Sequence, residues 1–321
     1  MKKRVFQLFL AFTLGFHALA SAQEMQVPEE PSSRLDLETE PVLDKSAYHL
    51  FHPVPAAAMR PLSTDRPDKT ESAYTVDAGH FQFEGDLLTL ILSQEGEDSS
   101  SELLIAPTNL KLGLLNNLDL HLIILPLNWN RLTRTVDAKP TTADIWSFGD
   151  MLVRLKYNLW GNDGGDTALS VMPFVKLPTS TYTTIHNLVE GGVVFPFAWD
   201  WGAGWGMGAQ LQMDLASNQE ALSPHPELDA RHGDQEQNAP GYHPEFSFAM
   251  TIGHDFTDEL AAFVELFAGV SSLMPTEPIA TFDAGVTYSP FPNTQWDMGF
   301  YLGLTSNAPR FNPFLGLSQR F

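Results

Sequence analysis

The chain has no cysteine among its 321 residues. That excludes disulfide staples, thiolate metal sites and thiol catalysis. Basic residues are scarce: 18 Lys and Arg stand against 39 Asp and Glu, giving a formal net charge of -21. So acidic a chain argues against nucleic-acid partners, which need basic surface. Long apolar runs are missing too. Beyond the first 22 residues, no stretch reaches the ~18 apolar residues that a membrane-spanning helix requires. A membrane β-barrel remains open, because its strands place polar residues at half of their positions.

What is present begins with an export signal. Lys2, Lys3 and Arg4 form a charged start, Val5 to Leu19 an apolar region, and Ala20-Ser21-Ala22 a small-residue cleavage site. The mature chain is expected to start at Gln23. Losing those three basic residues takes the net charge from -21 to -24. An acidic pore wall would favour cations over anions. Residues 23–62 are rich in Pro, Glu, Ser and Ala without periodicity, which predicts a flexible acidic linker.

From residue 79 the pattern becomes that of strands. "WGMGAQLQMDL", Trp205 to Leu215, alternates strictly. Trp205, Met207, Leu211 and Met213 point one way, while Gln210, Gln212 and Asp214 point the other. "HFQFEGDLLTLIL" puts Phe81, Phe83, Leu87 and Ile91 on one face, with Gln82, Glu84 and Asp86 on the opposite face. Similar segments continue to "PFLGLSQRF", about twelve in all.

The joints between strands decide the architecture. Those near 116, 161–165, 200–204, 257–259 and 292–294 are tight. Those at 93–101, 131–145, 179–185, 216–241, 271–278 and 305–312 are mostly longer. Alternating short turns and long loops belong to up-and-down outer-membrane barrels, and a Greek-key sandwich has no reason for them. Trp160, Trp199, Trp201, Trp205, Tyr288, Phe291 and Trp296 sit beside the tight joints, as an interfacial aromatic girdle would. The fold class expected is therefore all-β: a transmembrane up-and-down antiparallel β-barrel of about twelve strands, spanning 79–321, with its apolar face on outer-membrane lipid. Gly316 and the terminal Phe321 fit the last-strand signal read by the barrel assembly machinery. Gln319 stands where a second aromatic is usual.

The segment "STDRPDKTESAYTVDAGHFQFEGD", Ser63 to Asp86, resembles the lead-in of the outer-membrane transporter family named for the MetA pathway of phenol degradation. Ser63, Thr64, Asp65, Arg66, Pro67, Asp68, Thr70, Glu71, Ser72, Tyr74, Thr75, Val76, Gly79, Phe81, Gln82 and Glu84 match its pattern. "GDMLVRLKYNLWGNDGG" and "TALSVMPFVKLPT" are similar to its middle. The resemblance covers roughly 63–321. It implies a barrel passing small, apolar or aromatic compounds, and brings no catalytic residue.

For the lead-in motif, 63–78, two readings stand. Asp65, Arg66, Pro67, Asp68 and Glu71 could fold into the barrel as a plug, or the motif could strap its periplasmic end. Parity assigns the lumen wall to Glu84, Asp86, Lys111, Asp119, His121, Arg154, Lys156, Lys176, Glu190, Gln210, Gln212, Asp214, Glu245, Glu265, Asp283 and Asp297. Phe174, Phe263, Phe267 and Tyr301 point inward as well.

Other constellations weigh less. "GWGMGA", 204–209, has a dinucleotide-like spacing but no following helix. "GNDGGD", 161–166, lacks the spacing and final Glu of a calcium loop and reads as a tight turn. His225, His232 and His243 lie in or beside the 216–241 loop, where solvated residues are the default. His121 with Ser170 or Ser247 is a conceivable nucleophile–base pairing in the lumen, but nothing in the sequence brings them together, and no G-x-S-x-G is present. The reading is a non-enzymatic channel without metal or cofactor, passing a small-molecule solute by diffusion. Its competitor is a non-conducting structural or surface-interaction barrel.

Overall fold

The computed structural model describes residues 44–136, 139–181, 188–218, 241–272 and 278–321. The expected signal, 1–22, and the first part of the expected linker lie outside them. So does most of the 216–241 loop, including His225 and His232.

Among the described residues fifteen strands follow one another: β1 (Phe81–Glu95), β2 (Asp98–Ile105), β3 (Thr108–Leu115), β4 (Leu118–Ile124), β5 (Leu127–Val136), β6 (Lys139–Ser147), β7 (Met151–Trp160), β8 (Thr167–Leu177), β9 (Glu190–Gly202), β10 (Trp205–Ser217), β11 (Tyr242–Asp255), β12 (Leu260–Ser271), β13 (Ile279–Phe291), β14 (Thr294–Gly303) and β15 (Phe311–Arg320). All pairings are antiparallel, and β15 returns to pair with β1. Six of the fifteen are halves of three longer wall strands. β2 and β3 both pair with β1, β4 and β5 pair with β3 and β2, and β7 and β6 pair with β4 and β5. The wall is thus a closed twelve-stranded barrel, and closure leaves no edge along the ring.

The interruptions have local causes. Pro107 and Pro126 cannot donate to a ladder, and Ala106 carries a φ of 55°. Gly149 donates its N–H to the Leu125 carbonyl, knitting two of the breaks together. At a similar place along β1 a bulge lies between Asp86 and Leu88. This corrects one expected face. Leu87 and Leu88 are both exposed while Thr89 is buried, so Ile91 follows Thr89 onto the inner face. One extra residue inverts every later position. Two expected loops, 93–101 and 131–145, are likewise mostly strand: β1 runs into β2, and β5 and β6 bracket 137–138.

Burial is inverted relative to a soluble protein. Leu211, Met213, Phe246, Leu266 and Met298 are exposed, whereas the largest fully buried side chains include Lys111, Lys156, His121, Gln82, Glu84 and Glu265. Such a protein places hydrocarbon outside and polar groups within. Trp160, Trp199, Trp201, Trp205, Phe291 and Trp296 are exposed near the tight-turn rim. Trp199 meets Trp201 edge-on at 5.9 Å and Trp205 stacks on His254 at 4.2 Å.

The expected flexible linker needs correction over its described part. Residues 44–62 pack on the tight-turn rim, with a bridge between His49 and Leu115 and Lys45 held to Asp77 and Asp163. Polar anchors at intervals, rather than an apolar period, tie this stretch down.

Candidate functional site

Residues 63–78 lie within the barrel. Asp65, Thr70, Ala73, Val76, Asp77 and Ala78 are buried, and the segment contacts inward positions of the wall strands and, through Asp77 and Ala78, residues of 44–62. The segment carries charge into a space that excludes bulk water, so each charge needs a partner.

Asp65 sits between two lysines, with Lys111 Nζ at 2.6 Å from Oδ2 and Lys156 Nζ at 2.5 Å from Oδ1. Lys111 also meets Glu84 at 2.5 Å, and Glu84 accepts the Asp65 N–H at 3.0 Å. His121 bonds Asp119 at 2.9 Å, and Asp119 accepts the Val76 N–H at 2.7 Å. Arg66 crosses to another part of the wall. Its guanidinium meets Asp86 at 2.5 Å and Asp297 at 2.7 Å. Lys69 meets Asp283 at 2.6 Å and lies 3.7 Å from the centre of the Tyr301 ring, a cation–π distance. Tyr301 donates its hydroxyl to the Pro67 carbonyl at 2.8 Å. Glu71 pairs with Arg154.

Toward β10 and β12 the holding groups are main-chain donors. The N–H groups of Lys69 and Thr70 donate to Glu265 at 2.9 and 2.8 Å. The Glu71 N–H donates to Gln210 at 2.7 Å. The remaining wall residues have partners elsewhere on the wall. Lys176 pairs with Glu190, Gln212 donates to both oxygens of Asp214, and Glu245 meets His243 at 3.1 Å.

Electrostatics divide the acids of the segment. Burial works to raise Asp65, but Lys111, Lys156 and His121 outweigh it and hold the carboxyl well below the usual range. Asp68 goes the opposite way: burial, then the nearby Glu265 charge, push it well above that range. His121 and Ser170 do not form a nucleophile–base pair. The Ser170 hydroxyl donates to the Ala73 carbonyl at 2.5 Å, while His121 Nε2 is engaged by Asp119.

A second cluster, not expected from the sequence, fastens the segment at the tight-turn rim. Arg60 donates to the Asn116 carbonyl at 2.6 Å and the Thr75 carbonyl at 3.0 Å, and meets Asp163 at 2.9 Å. Asn162 accepts the Thr75 N–H at 3.1 Å and donates to the Asn116 carbonyl at 2.7 Å. The 161–166 stretch is therefore a turn whose side chains latch the inner segment. A lone arginine before a proline, in a stretch otherwise short of bases, was the only available signal for Arg60.

Two cavities flank the segment beside β10–β12. One, of about 730 Å³, lies toward the long loops and is lined on β10 by Gln210 to Ser217. The other, of about 510 Å³, opens at the tight-turn rim and is lined on β10 by Trp205 to Gly208. Glu71 borders both.

Residues 64–321 match the family model described as "Putative MetA-pathway of phenol degradation". No curated protein matches the chain. An outer membrane channel from Pseudomonas putida F1 is similar in fold at 12% identity, with a TM-score of 0.55 over 81% of this chain and 100% of that one. The NanC porin aligns at 8% identity and a TM-score of 0.46, covering 74% of this chain and 98% of its own. The CymD monoaromatic hydrocarbon channel aligns at 9% and 0.42, covering 75% and 88%. With the family model spanning the inner segment and the entire barrel, the chain belongs to the MetA-pathway phenol-degradation family of outer-membrane barrels.

Proposed function

We propose that the protein, exported by a cleaved signal and assembled through its last strand, lets small solutes diffuse passively across the outer membrane. The inner segment 63–78 acts as its plug. One observation carries this reading: within a closed barrel, cavities of about 730 and 510 Å³ approach each other from opposite ends and are separated at Thr70 and Glu71. Selection would come from width and from the wall groups named above. The family description, which refers to phenol degradation, fits small apolar or aromatic compounds as the solutes.

The test is swelling of liposomes holding the purified protein, with small aromatic acids and neutral sugars as osmolytes, alongside planar-bilayer conductance. Swelling with at least one solute is expected, and Arg66→Ala should raise conductance by loosening the plug. Unchanged conductance, gating and assembly in that variant would remove the plug from the reading. The second reading is a non-conducting structural barrel. It is favoured by the number of ion pairs that pin the segment, and an absence of swelling with every solute would select it.

A further inference from the structure

The inner segment is held unevenly. On the wall formed by β1, β3, β4 and β7 it is sealed by direct ion pairs, with Lys111, Lys156 and Asp119 fully buried. On the β10–β11 wall, nearer the rim, glycines stand where side chains would fill the space. A Cβ on Gly206 or Gly253 would meet nothing nearer than 3.7 Å, and the two face each other in register. One step further in, Gly208 is tight: a Cβ there would stand 2.8 Å from Thr251 Cγ2 and 3.0 Å from Thr70 Cγ2. That is the level at which the two cavities are divided.

We infer that solutes pass eccentrically, along the β10–β11 wall through the Gly206–Gly253 corridor, past a constriction at Thr70, Gly208 and Thr251, and that this route excludes anions. This rests on the proposal that the barrel conducts. The charge argument is local. Among the described residues, Asp200, Asp214, Glu245 and Asp255 border the two cavities without an ion pair to Lys or Arg. The Lys and Arg side chains on the route, Lys69 and Arg154, are each matched by a carboxylate, Asp283 and Glu71. Uncompensated carboxylates in a narrow, partly dehydrated passage repel anions and admit neutral and cationic solutes.

The absence of native cysteine makes the route directly testable, since each introduced thiol is the only one present. Gly206→Cys, Gly253→Cys and, in the outer cavity, Ser247→Cys are compared with Ser318→Cys, fully buried on β15 away from both cavities. Each full-length variant is recorded in a planar bilayer while a cationic or an anionic methanethiosulfonate is added, and modification is read by intact mass. The expected result is loss of most of the current on modification at 206, 253 and 247, faster with the cationic reagent, with neither modification nor change at 318. Wild-type reversal potentials in a salt gradient should report cation preference. Current that survives confirmed modification at 206 and 253 would overturn the route while leaving conduction intact. Equal rates with both reagents, or an anion-selective reversal potential, would overturn the charge filter. A wild-type protein that passes no current would instead bring down the conduction proposal, and the route with it.

Discussion

A methyl group on Gly316 would occupy the volume now filled by the Arg66 guanidinium. The last strand thus leaves a hollow in which Arg66 lies flat while it holds Asp86 and Asp297. Gly316→Ala is expected to expel Arg66 and mimic Arg66→Ala. In both, Asp297, whose side chain is fully buried, loses its partner, a loss of about 3–5 kcal/mol for a buried pair. Thermal unfolding in detergent should show the two variants equally weakened and the double variant no worse than either. Additive losses would show that the glycine and the arginine act separately.

Asp65 is the other fixed point. Lys156 has no other ion-pair partner among the described residues, whereas Lys111 keeps Glu84. Asp65→Ala should therefore destabilise the segment more than Glu84→Gln, again by about 3–5 kcal/mol. Amide exchange of residues 63–78 is the measurement. Adding Lys156→Met to Asp65→Ala should restore protection, because it removes the stranded charge.

Acidification should act on this segment in two opposed ways. Asp68 is raised in the folded state, so folding takes up its proton. The segment is then more firmly seated below that raised value and loses the advantage as pH rises through it. Asp65 is depressed, so its contribution is present above the unfolded carboxylate value and vanishes as pH falls toward the folded one. Protection of 63–78 should pass through a maximum at mildly acid pH. Asp68→Asn should flatten the upper limb only, and persistence of that limb in the variant would contradict the assignment.

The latch at the rim predicts a different phenotype. Arg60→Ala removes at once the contacts of this side chain to Asp163, the Asn116 carbonyl and the Thr75 carbonyl. Limited proteolysis should then cut within 44–62 while the barrel retains its heat-modifiable mobility. Asp163→Asn should give a milder version, since Asp163 is partly exposed and such ion pairs contribute only about 0–1 kcal/mol.

Much of the wall was legible in the sequence because a barrel strand repeats every two residues. Gln210, Gln212 and Asp214 read inward directly, and the tight joints gave an even strand count. What was hidden depended on single residues that shift a register. The Asp86–Leu88 bulge moved Ile91 to the inside, and no local pattern in "GDLLTL" marks it. Pro107 and Pro126 were visible, yet only the pairing reveals that they interrupt strands rather than end them. The inner segment's partners were unreadable for another reason. Arg66 meets Asp297 across 231 positions of chain, and parity tells which way a side chain points but not what it touches.

That separation also bears on how the molecule comes together. Arg66 needs Asp86 from the first wall strand and Asp297 from the next to last, and its hollow at Gly316 is made by the last. The anchoring contacts of the segment cannot all exist until synthesis is finished and the ring has joined its ends. An unclosed intermediate would keep a loose, charged N-terminal arm, available to a protease. Resistance of that arm to cleavage is thus a built-in marker of completed assembly.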